Sequence, residues 1–167
     1  MALKPDRVEH LTDLSFFMNE TGDRGGIVTY RVSAAASGSA MDDANALVGF
    51  PTGTSAAEFG QGGQGNGNQK PAGLLLNDVV NLDLTRQHIN FAKDEVQKGS
   101  KVLLLKRGTV VTNNVSGTPT AANIGATLYF DQDGNLGVGA NAGTAVGRLL
   151  SLKDADGYAK VDIDITW

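Results

Sequence analysis

The chain contains no cysteine, so disulfide staples and thiolate metal sites are excluded at the outset. It also has no apolar run approaching the roughly 20 residues that span a bilayer as a helix. The opening Met1-Ala-Leu-Lys-Pro-Asp-Arg7 lacks the apolar stretch of a secretory signal, and the expectation is a protein made and used without crossing a membrane. Positive charge is scarce: 14 basic residues face 18 acidic ones, for a formal charge of −4. A sequence-independent nucleic-acid binder needs a basic face to displace counterions, so neither nucleic acid nor a membrane is expected as a partner. Aromatic residues are few as well, with six Phe, three Tyr and one Trp, which leaves little for an aromatic binding platform.

Glycine is what the chain has in excess, 22 residues in all, and many turns with few helices follow. Between Gly99 and Ile165 one frame recurs. Gly99-Ser-Lys-Val102 runs to a turn expected at Gly108, and Gly125-Ala-Thr-Leu128 runs to a turn at Gly134, with Val110 and Leu136 opening the next strands. Upstream, Ile27 to Ser33 is rich in β-branched residues and reads as a strand, as do Ala46 to Phe50, Ala72 to Leu76 and Val79 to Leu84. Near the end, Val161, Ile163 and Ile165 alternate with Lys160, Asp162, Asp164 and Thr166, the pattern of a strand with one buried and one wet face. Eight to ten short strands with regular turn signals predict an all-β fold, a compact β-sandwich or small β-barrel of antiparallel strands.

Two segments stand apart. Residues 1–25 carry Val8, Leu11, Ser15 and Met18 at helical spacing, yet Leu14, Phe16 and Phe17 leave almost no polar face. Such a segment must be covered, either as a short helix or extended piece packed on its own domain or as an arm docking on a neighbouring chain. The domain proper is then 26–167, with a Gly-rich insertion over 52–70 whose residues 60–69 include no aliphatic side chain with which to build a core.

Catalytic and metal-binding patterns fail on inspection. Asp131-Gln-Asp133-Gly134-Asn135 and Asp154-Ala-Asp156-Gly157 resemble the start of calcium loops, but the twelfth positions are Ala142 and Ile165 where a bidentate Glu is needed. Turn chemistry explains both. Gly60-Gln-Gly-Gly-Gln-Gly65 satisfies a dinucleotide-loop pattern by letter, but no helix can follow it. His10 and His88 lie in different segments without carboxylate or hydroxyl companions at catalytic spacing. No catalytic, cofactor-binding or metal-binding residue is expected. A contact role suits the stretch 85–95, where polar residues alternate with Ile89 and Phe91 as in a half-exposed strand or long loop.

Several blocks resemble the cement or decoration proteins of tailed-bacteriophage capsids: Gly73-Leu-Leu-Leu-Asn-Asp-Val-Val80, Thr85-Arg-Gln-His-Ile-Asn-Phe91, Asp94 to Val102, Ala145 to Ser151 and Gly157-Tyr-Ala-Lys-Val161. Leu3 to Val8 and Leu14 to Glu20 are similar to that group too, so the resemblance covers most of the chain outside the Gly-rich loop. It implies a structural virion protein without enzymatic activity, made in the host bacterial cytoplasm and placed on the outer capsid surface. Its implied partners are the major capsid protein and itself, as a homotrimer by lattice symmetry or a dimer at two-fold positions. The residues expected to carry those contacts are Leu11, Leu14, Phe16, Phe17 and Met18 of the arm and Arg86, His88 and Phe91. Two other readings compete: a β-module binding glycans or another ligand, and another virion component such as a tail-tube or head-completion subunit.

Overall fold

The computed structural model describes residues 3–31, 46–51, 70–78, 95–96, 98–131, 133–139 and 144–166. Their strands are β1 (Val8–Met18), β2 (Gly22–Asp23), β3 (Ile27–Arg31), β4 (Leu47–Gly49), β5 (Pro71–Asp78), β6 (Glu95–Val96), β7 (Lys101–Thr112), β8 (Thr127–Phe130), β9 (Leu136–Gly137), β10 (Ala145–Leu149) and β11 (Ala159–Asp164). One 3-10 turn at Ala121–Asn123 is the sole helical element among the described residues. The protein is all-β.

The organising element is β7, whose 12 residues are longer than any partner. One edge pairs with β1, from Val8 opposite Thr109 to Phe17 opposite Lys101. The other edge is shared: β5 takes Val102 to Leu105, and β11 takes Arg107 to Thr112. A first ring of hydrogen-bonded strands therefore runs β1-β4-β3-β5-β7 and returns to β1. A second runs β7-β11-β10-β8-β9 and closes on the chain just past β7, where Leu136 bridges Val115 in parallel. That closure is made by Leu136 N–H donating to the Asn114 carbonyl at 2.8 Å and Ser116 N–H donating to Leu136 at 2.7 Å. Closing a sheet on itself removes the unpaired edges that would otherwise invite aggregation.

Two apolar clusters fill this framework. The larger gathers Leu105, Val110, Leu128, Leu136, Leu149, Val161 and Ile163. The smaller holds Met18, Val28, Val48, Ala72, Leu75, Val96, Val102 and Leu104, with Phe16 and Phe50 against it. Leu74 and Leu76 enter the first cluster and Leu75 the second, as do Leu105 and Leu104 respectively. A strand covered on both faces needs apolar groups at consecutive positions, and this is why 74–76 and 102–105 read as unbroken runs. On β11 one face is wet, and the alternation returns: Val161, Ile163 and Ile165 are buried and Asp164 is exposed.

Two expectations are corrected. Gly108 does not turn the chain but sits inside β7, opposite Glu9. Its φ of +146° and the Val8 carbonyl, which a Cβ there would strike, reserve the position for glycine. Gly134, by contrast, does close a turn, with φ +78°, and its carbonyl receives the Ile27 N–H at 2.7 Å.

The N-terminal segment is not a helix: of the alternatives the sequence left open, it takes that of an extended piece packed on its own domain. Residues 8–18 are a strand of the first ring, with Met18 N–H bonded to Ser100, Phe17 N–H to Ala46 and Asn19 N–H to Val48. The helix-like spacing arises because the β1–β7 register shifts three times, between Glu9 and Leu11, between Leu11 and Thr12, and between Asp13 and Phe16. At the first and third shifts the extra residue lies on β1, where it resets the two-residue alternation of the strand and mimics a longer period; at the second it lies on β7. The insertion over 52–70 lies outside the described residues apart from Lys70.

Candidate partner-binding surface

On β1 the two register shifts around Leu11 re-aim its side chains. Val8 faces Thr109 and Leu11 faces Arg107, two positions apart on β7, so both project from the same side of the sheet. Val8 is 48% exposed and Leu11 47%, and Leu14, within the third register shift, is 45% exposed. Tyr30 on β3 adds an exposed ring, whose centroid lies 5.4 Å from that of Phe16. Arg7 and Glu9, 2.6 Å apart, give the row a polar margin. Burying three such aliphatic side chains against a partner contributes about 1.5–3 kcal/mol each before ordering costs.

The expected contact residues thus separate. Leu11 and Leu14 are exposed on one strand. Phe16 and Phe17 are half-buried, and Met18 is fully enclosed in the smaller cluster, so it serves the core rather than a partner. Arg86, His88 and Phe91 lie outside the described residues. Val8 and Tyr30 were not among the contact residues expected from the sequence. The interval of three from Val8 to Leu11 to Leu14 is the signal that carries Val8, whereas nothing local distinguishes Tyr30 in a β-branched strand.

A charged cluster holds the row in place. Lys106 is the β7 residue left over at the shift between Leu11 and Thr12. Its ammonium lies 3.1 Å from an Asp13 carboxylate oxygen, donates to the Tyr30 hydroxyl at 3.3 Å and stands 5.6 Å from the centre of the Phe16 ring. It ties together β7, β1 and β3. Partial burial pushes the Asp13 carboxyl up, but bonds from Ser15 and from Lys106 outweigh it and hold the group below the ordinary carboxylate value. For Lys106 burial likewise acts against the charged form, and its bonds to Asp13 and Tyr30 prevail and raise it.

The sign of the pH dependence follows. A depressed carboxylate stabilises the fold above its unfolded value, near 3.9, and that contribution disappears as pH falls through the folded one; the raised lysine stabilises below about 10.4 and is lost as pH rises through its folded value. Asp13→Asn is therefore expected to cost about 1–2 kcal/mol at neutral pH and to flatten the acid limb of the stability profile. Urea unfolding at a series of pH values checks this; an acid limb identical to that of the parent protein would remove Asp13 from the account.

The aspartate loops serve turns. One oxygen of Asp131 accepts the N–H groups of Asp133 and Asn135 at 3.0 and 2.8 Å, and one of Asp154 accepts those of Asp156 and Tyr158 at the same distances. Among the described residues no three His, Cys, Asp or Glu side chains converge as a metal site, and no helix is long and apolar enough to cross a membrane. A second exposed apolar group, Ile124, Leu150 and Leu152, lies about the start of β8 and the end of β10, where Gly125 N–H donates to Leu149. Neither the models of known protein families nor the curated proteins contain a match to this chain.

Proposed function

We propose that this protein is a structural virion component, a capsid decoration or cement protein that binds the outer face of the major capsid protein lattice, stabilises the head and associates with copies of itself as a trimer or dimer. The observation that carries the reading is the exposed row Val8, Leu11 and Leu14 on a strand locked into a closed β framework. A cement protein must present apolar groups without yielding its own core, and β1 does both: its central aliphatics face solvent while Met18 anchors its end. The resemblance of several sequence blocks to decoration proteins of tailed phages adds the identity of the partner.

The test replaces side chains that the core does not use. Leu11→Asp with Leu14→Asp is expected to keep the fold, since both positions are exposed, and to weaken binding to undecorated capsids by about 100-fold or more. Co-sedimentation with capsids and electron microscopy of the particles measure it. Undiminished occupancy by the double variant would refute the role given to this row.

A further inference from the structure

Ahead of β1 the chain continues along β7 and reaches the second ring. Leu3 bridges Thr112 and is 5% exposed within the larger apolar cluster, and Lys4 N–H donates to the Val111 carbonyl at 2.9 Å. The Lys4 ammonium pairs with Asp154 and lies 4.5 Å from the centre of the Tyr158 ring, while Lys160 stands 3.5 Å from Asp6. Leu3 contributes the one buried side chain of this stretch; the ionic contacts are exposed and screened by salt. Past Glu9 the register shift separates these contacts from the rest of β1. A segment held by one apolar side chain and a few wet bonds belongs to the least stable end of a fold and opens without global unfolding.

We propose that residues 3–7 form an exchangeable clasp: it lifts from its own domain, and the site it vacates takes residues 3–7 of a second copy. The vacated site offers, in order, an apolar slot beside Thr112, the Val111 carbonyl, the Asp154 carboxylate beside Tyr158, and the Lys160 ammonium. That sequence of features matches Leu3, the Lys4 backbone, the Lys4 side chain and Asp6, and a second copy always carries it. Exchange of an identical element replaces each lost contact with the same contact and so costs little at equilibrium. Closure within one chain benefits from an effective concentration of order millimolar, so exchange prevails when copies are crowded. The clasp rests on the self-association part of the proposed function and names the segment that would carry it.

Because the chain has no cysteine, an introduced pair supplies its only thiols. Leu3 and Thr112 are opposed at a position flanked, not joined, by the Lys4 to Val111 bond, the close type of antiparallel pair with Cα atoms about 4.5 Å apart. Leu3→Cys with Thr112→Cys, oxidised over a range of protein concentrations, is expected to give intrachain disulfides when dilute and interchain dimers that rise several-fold toward millimolar protein. Intrachain disulfides alone at every concentration overturn the exchange.

Thr112 also bonds the Gly25 carbonyl through its hydroxyl, so a second test leaves that group untouched. Asp6→Lys and Lys160→Asp each set like charges across their own clasp, but in a mixture the clasp of each suits the site of the other. Sedimentation velocity should show the mixture associating several-fold more strongly than either variant alone, and equal association counts against the clasp. A parent protein that oligomerises while its Leu3→Cys, Thr112→Cys variant forms only intrachain disulfides refutes the clasp and leaves self-association standing; the Leu11 and Leu14 variants test capsid binding separately.

Discussion

Removing residues 1–18 is expected to unfold the domain instead of freeing it from a partner. Without β1 the first ring opens, and β7 loses its partner from Lys101 to Thr109. The smaller cluster loses Met18 and the larger one Leu3, each worth about 1.5–3 kcal/mol of burial. The Ser100 carbonyl and Gly99 N–H, now bonded to Met18, lose those partners, as does the Ala46 carbonyl that accepts from Phe17. Together these losses rival the 5–15 kcal/mol that hold a typical domain together. Far-UV circular dichroism and thermal melting of the truncated chain should show no cooperative transition, and a synthetic peptide of residues 1–18 supplied in trans should restore one. A truncated protein melting cooperatively within about 5 °C of the intact one would mean that the first ring does not need its first strand. Lost capsid binding in such a truncation cannot be assigned to contact residues, which is why point changes at Leu11 and Leu14 are the sharper probe.

Gly108→Ala is expected to be strongly destabilising. The residue holds φ at +146°, where an L side chain is strained by about 1–3 kcal/mol, and its Cβ would strike the Val8 carbonyl on the neighbouring strand. Relief requires β1 to move away from β7 beside Glu9, whose Cα lies 3.2 Å from the Cβ position. A total of about 3–5 kcal/mol follows, or a urea midpoint lowered by about 1–3 M with little change in slope. Gly117→Ala provides the control. Its φ of +69° carries the backbone penalty, but nothing lies within 4 Å of an added Cβ, so about 1 kcal/mol is expected. Equal losses at the two positions would show that backbone strain, not the approach of β1, sets the cost at Gly108.

Much of the framework could be read from the chain because it depends on neighbours in sequence. The alternation of Val161, Ile163 and Ile165 with polar residues anticipated β11 and its buried face. Asp131 to Gly134 and Asp154 to Gly157 were legible as turns because an aspartate bonding N–H groups two and four residues ahead is a local event. Gly108 was misread for the complementary reason. A glycine that ends a strand and a glycine that admits another strand's carbonyl look alike until the second strand is in place.

The exposed apolar groups of β1 were legible in part. Leu11 and Leu14 were identified as apolar groups in need of cover, and they are exposed; Met18 carries the same chemistry two residues beyond Phe16 and is buried. What separates them is pairing. β4 reaches β1 only at Phe17 and Met18, and there the strand is enclosed, whereas the stretch from Val8 to Leu14 is paired to β7 through shifted register. Lys106 owes its place between Asp13, Tyr30 and Phe16 to one of those shifts, and no feature of Lys106 in sequence announces it.

Composition and short-range pattern were enough for an all-β chain without thiol chemistry, with its strands and most of its turns, since hydrophobic periodicity and turn propensity act over a few residues. The double closure around β7, the choice of strand for the N-terminal segment, and the choice of which apolar groups stay outside all depend on pairings between residues far apart in sequence, such as Val8 with Thr109 and Met18 with Ser100. Strand pairing is cooperative and its register is set by the whole packed sheet, so a bulge that turns a leucine toward solvent leaves no mark of its own on the local sequence.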